Sequence, residues 1–424
     1  MFKRHPKGLA IIFFAEMWER FGFYILMAIY VLYMDEVLKW DDARKGDFYG
    51  WFLGGVYFLP ILGGWIGDRL FGAKNTIRLG AACMVLGYIG LYLSSVDQLG
   101  YFYAGLALIA FGTGIFKANM SVAVGYLYEQ GSPLRDAGYN IYYMGVNIGA
   151  AIAPLVATWI YATYHSYNLS FAAAAVGMTL SLVIFQFGRK LVPNAPLATA
   201  QANPSRPAQP EEKPSEFWHR ISTLFTLFLI VIFFWIAFYQ NGFALTLFAQ
   251  RSTIVSGILR PETYQFFNPF FILVLTPILI SVFSSMHRKG KEPTSAMKIF
   301  LGMCVSGFAM VVMVFAGLAG GNADANNMSP LWLVGSYFIV TVAEILVSPM
   351  GLSFVSKVAP RKIQGLMMGF WFGATAVGSY GSGLIGKFYS DFPHHQYFMI
   401  IAGLLFFSAI LAFVFMKRLN RFSN

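Results

Sequence analysis

Twelve apolar stretches, each long enough to cross a lipid bilayer, constrain the fold of this chain more than any other feature. A transmembrane helix needs about 20 mostly apolar residues. Stretches of that kind run over residues 9–34, 48–68, 76–95, 100–126, 138–162, 169–187, 221–247, 265–286, 296–318, 331–355, 364–388 and 397–416. The chain is 57% hydrophobic and only 12% charged, which excludes an ordinary soluble protein. We therefore predict an all-α membrane protein with 12 transmembrane helices in the lipid bilayer.

A polar, proline-rich segment divides the twelve stretches into six and six. Residues 189–219 contain six prolines and few apolar residues. Such a composition is typical of a linker rather than of a buried helix. The sequence predicts an N-terminal six-helix bundle over residues 1–188, a cytoplasmic linker over 189–219 and a C-terminal six-helix bundle over 220–424.

The basic residues predict the orientation. With both termini inside, the internal segments hold 22 Lys and Arg and the external loops hold six, while Arg20 and Lys117 lie within spans. This asymmetry follows the positive-inside rule and places both termini in the cytoplasm. It also explains the net charge of +11 without nucleic acid as a partner. The first apolar run is too long for a cleaved signal, so we expect it to be retained as a span. The compact chain and its charge pattern suit a bacterial inner (plasma) membrane.

Three ionisable side chains lie close together in the first span. Glu16, Glu19 and Arg20 share one face of a helix, because their spacings are three and four residues. A charge near the middle of the bilayer costs at least about 2.5–3.5 kcal/mol, so such groups usually face the protein interior and mark an ion or substrate path. One arginine cannot neutralise two carboxylates. At least one of the two acids is therefore a candidate to bind and release a proton.

Two further charges lie deep in the spans, Lys117 in the fourth and Glu344 in the tenth. These are the fourth spans of the two halves. If the halves are pseudo-symmetric, the two side chains face each other across a central cavity, where protonation or a ligand can part them. The alternative is a static structural ion pair.

Polar and aromatic residues interrupt several otherwise apolar spans, and they indicate the kind of ligand. They are Tyr57, Tyr143, Asn147, Asn268, Ser348 and Trp371. Packing explains each aromatic, taken singly, better than ligand contact does, whereas buried asparagines need hydrogen-bond partners. A cavity with an acidic end, a basic end, amides and aromatic walls suits a small zwitterion.

The sequence offers no catalytic or metal site. All six histidines lie in loops or at span ends, the two cysteines lie in separate spans, and no phosphate-binding glycine loop is present. We therefore expect no cofactor, no metal, no catalytic residue and no ATP-driven transport. An intramembrane enzyme that uses the first-span carboxylates would lack a histidine to activate a nucleophile.

Five motifs resemble those of known transporter families. The run Gly64–Lys74 looks like the G-x-x-x-D-R loop of the major facilitator superfamily, whose fold matches the six-plus-six layout. The run Glu16–Tyr24 resembles the E-x-x-E-R-F-x-[FY]-Y signature of the proton-dependent oligopeptide transporters (the POT or PTR family). Gly112–Asn119 is similar to that family's G-x-G-x-x-K-P-N, with Ala118 in place of proline. Phe267–Pro269 and Ala343–Ser353 resemble its motifs in the eighth and tenth spans.

The resemblance implies roles for the matched residues. Proton coupling would fall to Glu16, Glu19, Arg20, Lys117 and Glu344. Lys117 would also meet the carboxylate of the peptide, and Glu344, Asn147 and Asn268 its amino terminus and backbone. The remaining residues implied to line the pocket are Tyr24, Tyr57, Tyr143, Trp235, Ser348 and Trp371.

The chain departs from the family pattern at two positions. Met27 stands where many members carry an arginine, and Tyr239 replaces the glutamate of a motif resembling F-W-A-x-x-E-Q. In the family these residues can form a second ion pair between the bundles. Losing both leaves no unpaired buried charge, but it makes the cavity less charged.

The resemblance implies a monomeric symporter that brings di- and tripeptides and protons into the cytoplasm by alternating access. The alternative keeps the fold and the proton coupling but assigns a peptide-like metabolite as the substrate, or export as the direction. The third hypothesis, an intramembrane enzyme, is disfavoured because the spans contain no histidine to activate a nucleophile or bind a metal.

Overall fold

The computed structural model describes residues 4–129, 132, 134–193, 214–360 and 363–421, and these residues are almost entirely helical. Twelve long helices are α1 Lys7–Leu32, α2 Asp42–Ile66, α3 Ala73–Leu93, α4 Leu99–Tyr126, α5 Leu134–Tyr164, α6 Tyr167–Gly188, α7 Pro214–Phe238, α9 Phe267–Arg288, α10 Ser295–Ala319, α11 Pro330–Val358, α12 Gln364–Gly386 and α13 His394–Val414. Two short helices are α8 Ala244–Arg251 and α14 Met416–Asn420. The predicted all-α class is confirmed.

Ten helical segments of the described chain are long and apolar enough to cross a membrane. The two long helices outside that set are α1 and α12. The first carries the charged Glu16, Glu19 and Arg20, and the second is rich in glycine. Both still exceed the length of about 20 residues that a bilayer requires.

The seventh span is broken, whereas the sequence indicated one apolar stretch over residues 221–247. After α7, residues Tyr239–Gly242 form a single 3-10 turn, and α8 follows. The Asn241 carbonyl accepts hydrogen bonds from the Tyr337 hydroxyl at 3.0 Å and from Gln265 Nε2 at 2.7 Å. The Thr246 hydroxyl donates to the same oxygen at 3.1 Å. Side chains therefore replace the helical partners that this carbonyl lacks.

The chain forms two compact units. The first contains Met1–Trp40 and Gly55–Arg206, and the second contains Asp41–Gly54 and Pro207–Asn424. The sequence did not indicate that the beginning of α2 belongs to the second unit. The predicted bundle and linker boundaries stay a prediction, because linker residues 194–213 lie outside the described part of the chain.

Within the first unit, α3 and α4 approach each other through two pairs of glycines. A Cβ at Gly105 would lie 2.8 Å from the Gly87 carbonyl oxygen, and a Cβ at Gly87 would lie 2.8 Å from the Gly105 carbonyl oxygen. Gly80 and Gly112 make the same reciprocal contact seven residues away on each helix. Small residues at such crossings let membrane helices pack backbone against backbone.

Within the second unit, the beginning of α2 is held by ion pairs. Asp42 accepts hydrogen bonds from Arg251 Nη2 at 3.1 Å and from the Ser390 hydroxyl, and it pairs with Lys45 at 2.6 Å. Asp42 and Lys45 are buried. A buried carboxylate is tolerated when charged and hydroxyl donors surround it in this way.

The glycine contact between α3 and α4 predicts the effect of a single methyl group. Gly105→Ala places a Cβ against the Gly87 carbonyl, so we expect overpacking to cost about 1–3 kcal/mol of stability. The measurement is the melting temperature in detergent by intrinsic fluorescence. The matched control is Gly100→Ala on the same helix, where a Cβ would have no atom within 4 Å. Equal melting temperatures for the two variants would show that the helices do not depend on this approach.

Candidate functional site: two sets of buried polar residues

Glu16, Glu19 and Arg20 of α1 form one sealed cluster in the first unit. The Arg20 guanidinium donates two hydrogen bonds to the Glu19 carboxylate, from Nε and Nη2. Glu16 Oε1 lies 3.5 Å from Arg20 Nε, as the spacing of four residues predicted. The exposed fractions of the three residues are between 0% and 4%. The guanidinium satisfies Glu19 with a bidentate pair and leaves Glu16 as the less well-paired acid.

The second oxygen of Glu16 has no partner. Glu16 Oε2 is buried and accepts no hydrogen bond from any described residue. The Tyr142 hydroxyl on α5 also interacts with this carboxylate. An ionised oxygen that is buried without a donor is costly, and a neutral carboxylic acid at this position avoids that cost. Of the two acids, Glu16 therefore has the surroundings of a group that exchanges a proton.

Sequence reasoning singled out Tyr143, whereas the structure directs Tyr142 toward Glu16. Tyr142 is 4% exposed, and Tyr143 is 54% exposed. The predicted shared face of Tyr143 and Asn147 is present, since Asn147 Nδ2 donates to the Tyr143 carbonyl at 2.9 Å. Neighbouring residues on a helix point about 100° apart. No signal within the sequence distinguished which tyrosine faces α1.

The packing of α1 explains how the charges are kept from lipid and water. A Cβ at Gly149 on α5 would lie 2.1 Å from the Met17 carbonyl oxygen, so α5 passes close to the cluster. The Ser181 hydroxyl on α6 donates to the Ala15 carbonyl at 2.6 Å. The small residues of α5 and α6 therefore enclose the acidic turn of α1.

Lys117 on α4 provides the other cation of this unit. Its Nζ lies 5.2 Å from the centroid of the Tyr57 ring, a cation–π contact. Lys117 also interacts electrostatically with Arg20 and Glu16. Its side chain is partly exposed, in contrast to the sealed carboxylates. Tyr24, at the end of the first-span motif, is also partly exposed and lies edge-on to Phe23.

One motif residue has a structural role. Asn119 Nδ2 donates to the Gly63 carbonyl and to the Ile115 carbonyl, each at 2.8 Å. A Cβ at Gly67 would lie 1.7 Å from Asn119 Oδ1. Asn119 therefore joins α4 to the second half of α2 and fixes the helix that carries Lys117.

In the second unit, Glu344 on α11 accepts a hydrogen bond from Asn268 on α9. The distance from Asn268 Nδ2 to Glu344 Oε2 is 2.7 Å. The same nitrogen donates to Thr341 Oγ1 at 3.1 Å. The need of a buried asparagine for partners is therefore met within this unit. Sequence reasoning missed Thr341, although its position three residues before Glu344 places both on one helical face.

Aromatic residues of the second unit supply flat surfaces and unused polar atoms. The rings of Trp235 and Tyr239 are stacked, with centroids 5.7 Å apart. A Cβ at Gly351 would lie 1.9 Å from Trp371 Cη2, so the indole lies directly on that glycine. Trp235 Nε1 and Ser348 Oγ are buried and make no hydrogen bond to any described residue. Such atoms are suited to a polar ligand.

The residues at the two positions of departure are both buried. Met27 is 7% exposed and Tyr239 is 8% exposed. The Tyr49 hydroxyl donates to the Tyr239 carbonyl at 2.7 Å. Packed uncharged side chains therefore occupy the two positions where many family members carry charges. Neither position leaves a buried ion without a partner.

The predicted site residues thus fall into two sets. The first unit brings together Glu16, Glu19 and Arg20, with Lys117 and Tyr57 in mutual contact, and the second brings together Glu344 and Asn268. Lys117 and Glu344 belong to different units, so their pairing stays a prediction. Within the described residues, no group of three or more His, Cys, Asp or Glu could hold a metal ion.

Comparison with known proteins identifies the family. The sequence profile described as PTR2, the POT family, matches residues 74–206 and 199–402. Dipeptide and tripeptide permease A of Escherichia coli is 31% identical over 90% of this chain and 85% of its own length. The transporter YclF of Bacillus subtilis, itself uncharacterised, is 30% identical over 93% of this chain and 90% of its own length.

Solved structures show the same fold. A peptide transporter POT in complex with sulfate has a TM-score of 0.89 at 30% identity, covering 100% of this chain and 97% of that one. A mutant of a peptide transporter POT in complex with alafosfalin has a TM-score of 0.88 at 29% identity, with the same coverage of both chains. The predicted major facilitator fold with 12 transmembrane helices is confirmed. The chain belongs to the POT family, a family of membrane transporters and not of enzymes.

Proposed function

We propose that this protein is a proton-coupled symporter that brings di- and tripeptides into the cytoplasm by alternating access. The observation that carries the proposal is the sealed cluster of Glu16, Glu19 and Arg20. Two carboxylates share one guanidinium in a helix of a multi-pass membrane transporter, and one carboxylate oxygen lacks a partner. Ionisable groups held in this way are typical of proton relays in transporters.

The distribution of charge supports a peptide as the cargo. Lys117 is a partly exposed cation in the first unit, and Glu344 is a partly exposed acid in the second. A peptide has a carboxylate at one end and an ammonium at the other, so it complements both groups. Asn268 and the buried donors of Trp235 and Ser348 supply hydrogen bonds for the peptide backbone. Relatives named as dipeptide and tripeptide permeases support the same cargo.

The membrane and the orientation are part of the proposal. An excess of Lys and Arg on one side of the predicted spans supports cytoplasmic termini. The bacterial sources of the permease relatives support the bacterial inner membrane. Each unit of one chain carries its own set of polar residues, which supports a monomer as the working form.

If Glu16 is the acid that carries the coupled proton, Glu16→Gln should abolish gradient-driven uptake but not exchange of the substrate. In proteoliposomes with a more acidic exterior, we expect accumulation of labelled dialanine to fall about tenfold or more, equivalent to roughly 1.4 kcal/mol. Exchange of dialanine without a gradient should remain, because it needs no net proton movement. The control is Glu129→Gln in an exposed loop. Intact accumulation in Glu16→Gln would remove this carboxylate from the coupling mechanism.

The charges of the site predict which end of the peptide each residue meets. Lys117→Gln should reduce the preference for a free carboxylate over a C-terminal amide, because it removes the cation. Glu344→Gln should reduce the preference for a free amine over an N-acetyl group. We expect each preference to fall about tenfold or more, since hydrogen bonds to charged groups contribute roughly 1.5–3 kcal/mol. Both preferences are measured by the competition of blocked and unblocked peptides with the uptake of labelled dialanine.

The controls for this experiment are Lys289→Gln and Glu129→Gln, both in exposed positions. If both site variants lose affinity equally for every blocked and unblocked peptide, the assignment of the two ends is wrong.

Met27 and Tyr239 favour a second candidate of the same fold. These uncharged residues stand where many family members carry an ion pair, so a peptide-like metabolite or export of the cargo is the alternative. A thermal-shift screen of di- and tripeptides against other small zwitterions separates the candidates. Stabilisation by several peptides supports peptide import, whereas a response only to other zwitterions supports the alternative.

A further inference from the structure

A chain of buried hydrogen bonds lies behind Glu344 in the second unit. Asn268 Nδ2 donates to Glu344 Oε2 at 2.7 Å and to Thr341 Oγ1 at 3.1 Å. The Thr341 hydroxyl in turn donates to the Tyr337 carbonyl at 2.7 Å. Thr341 and Tyr337 are fully buried, and Asn268 is 8% exposed. Thr341 therefore has no direct access to a substrate.

The direction of each hydrogen bond follows from the donors available. The only proton of the Thr341 hydroxyl is used by the Tyr337 carbonyl, so Thr341 Oγ1 can only accept from Asn268. If the Asn268 amide were flipped, its oxygen would face Thr341 Oγ1, and two acceptor oxygens in contact repel each other. The amide nitrogen must therefore face Thr341, and its second N–H then points to Glu344. An N–H donor favours the ionised carboxylate.

The threonine side chain is itself held firmly. Its partner Tyr337 is anchored through its own hydroxyl, which donates to the Asn241 carbonyl at 3.0 Å. That carbonyl lies in the 3-10 turn after α7 and also accepts from Gln265. The network thus extends from Glu344 through Thr341 and Tyr337 to the turn after α7, and Thr341 is the member of it that contacts the Asn268 amide.

The geometry points to Thr341 as a positioning residue that fixes the Asn268 amide as a donor to Glu344, and thereby sets the affinity of the site for a free amino group. The inference rests on the proposed function, in which Glu344 meets the peptide amino terminus. Without the Thr341 hydroxyl the amide can rotate and offer its oxygen, which suits a protonated Glu344 instead. The substrate preference then changes although no residue that touches the peptide has been replaced.

The test uses full-length protein and competition between dialanine and N-acetyl-dialanine. Thr341→Val should weaken the affinity for dialanine about fivefold or more and leave that for N-acetyl-dialanine unchanged, because a hydrogen bond to a charged group is affected. Thr341→Ser keeps the hydroxyl and should restore the preference. Thr226→Val is the control, since Thr226 also donates to the carbonyl four residues earlier, that of Ser222. An equal loss for both peptides, or no rescue by serine, overturns the proposal.

A double-mutant cycle of Thr341→Val with Asn268→Ala tests whether Thr341 acts by positioning the amide or has a merely structural role. If Thr341 acts through the amide, Thr341→Val in the Asn268→Ala background should cause no further change in the preference for dialanine. A further fivefold loss in that background would contradict the proposal. Should Thr341→Val fail to fold, Thr341→Ala removes the same hydroxyl without adding bulk.

An infrared measurement tests the inference without any substrate. The carboxylic C=O band that is absent in Glu344→Gln identifies Glu344 in pH-difference spectra. Thr341→Val should move this band to higher frequency, because the amide donor is no longer held on the carboxyl group. An unmoved band overturns the inference. If wild-type protein binds no peptide but the band moves as expected, only the proposed peptide function has failed.

Discussion

The rest of this structure depends on the neutralisation of two carboxylates by one guanidinium inside a transmembrane helix. Glu19 and Arg20 form the tight pair, and Glu16 lies 3.5 Å from the same guanidinium. Charges in such surroundings are stable only where protein replaces both lipid and water. The close approach of α5 at Gly149 and the hydrogen bond from Ser181 on α6 meet that requirement. The small residues of α5 and α6 at this place are thus explained by the ions that they enclose.

Glu344 of the second unit is held by a neutral donor instead. Glu344 is the acid, and Asn268 satisfies it within the unit in place of a cation. An amide N–H donates a hydrogen bond, as an ammonium does, but it carries no net charge. The acid can therefore gain or lose a proton without leaving a buried cation unpaired. The orientation of that amide then becomes important, and it is decided by Thr341 behind it. Glu19 and Glu344 are therefore held by different chemistry, the first by a guanidinium and the second by an amide.

The two departures from the family pattern follow the same electrostatic rule. Met27 and Tyr239 are both buried, and neither places an ion in the spans. Replacing one partner of a buried ion pair would leave an uncompensated charge, whereas replacing both is tolerated. The stacked ring of Tyr239 fills its position against Trp235. With that pair absent, Glu16, Glu19, Arg20, Lys117 and Glu344 are the charges left to couple protons to transport in the proposed mechanism.

Sequence alone determined the number of long helices, the charges deep within the spans and the family, because hydropathy, spacing and motif are properties of the chain itself. It could not determine which side chain meets a charge when the partner comes from another helix. Tyr142 rather than Tyr143 faces Glu16, Thr341 supports Asn268, and Asp42 pairs with Arg251 more than two hundred residues away. Only the tertiary structure decided the break after α7 as well, because the donors that satisfy the Asn241 carbonyl come partly from α11 and from the turn before α9.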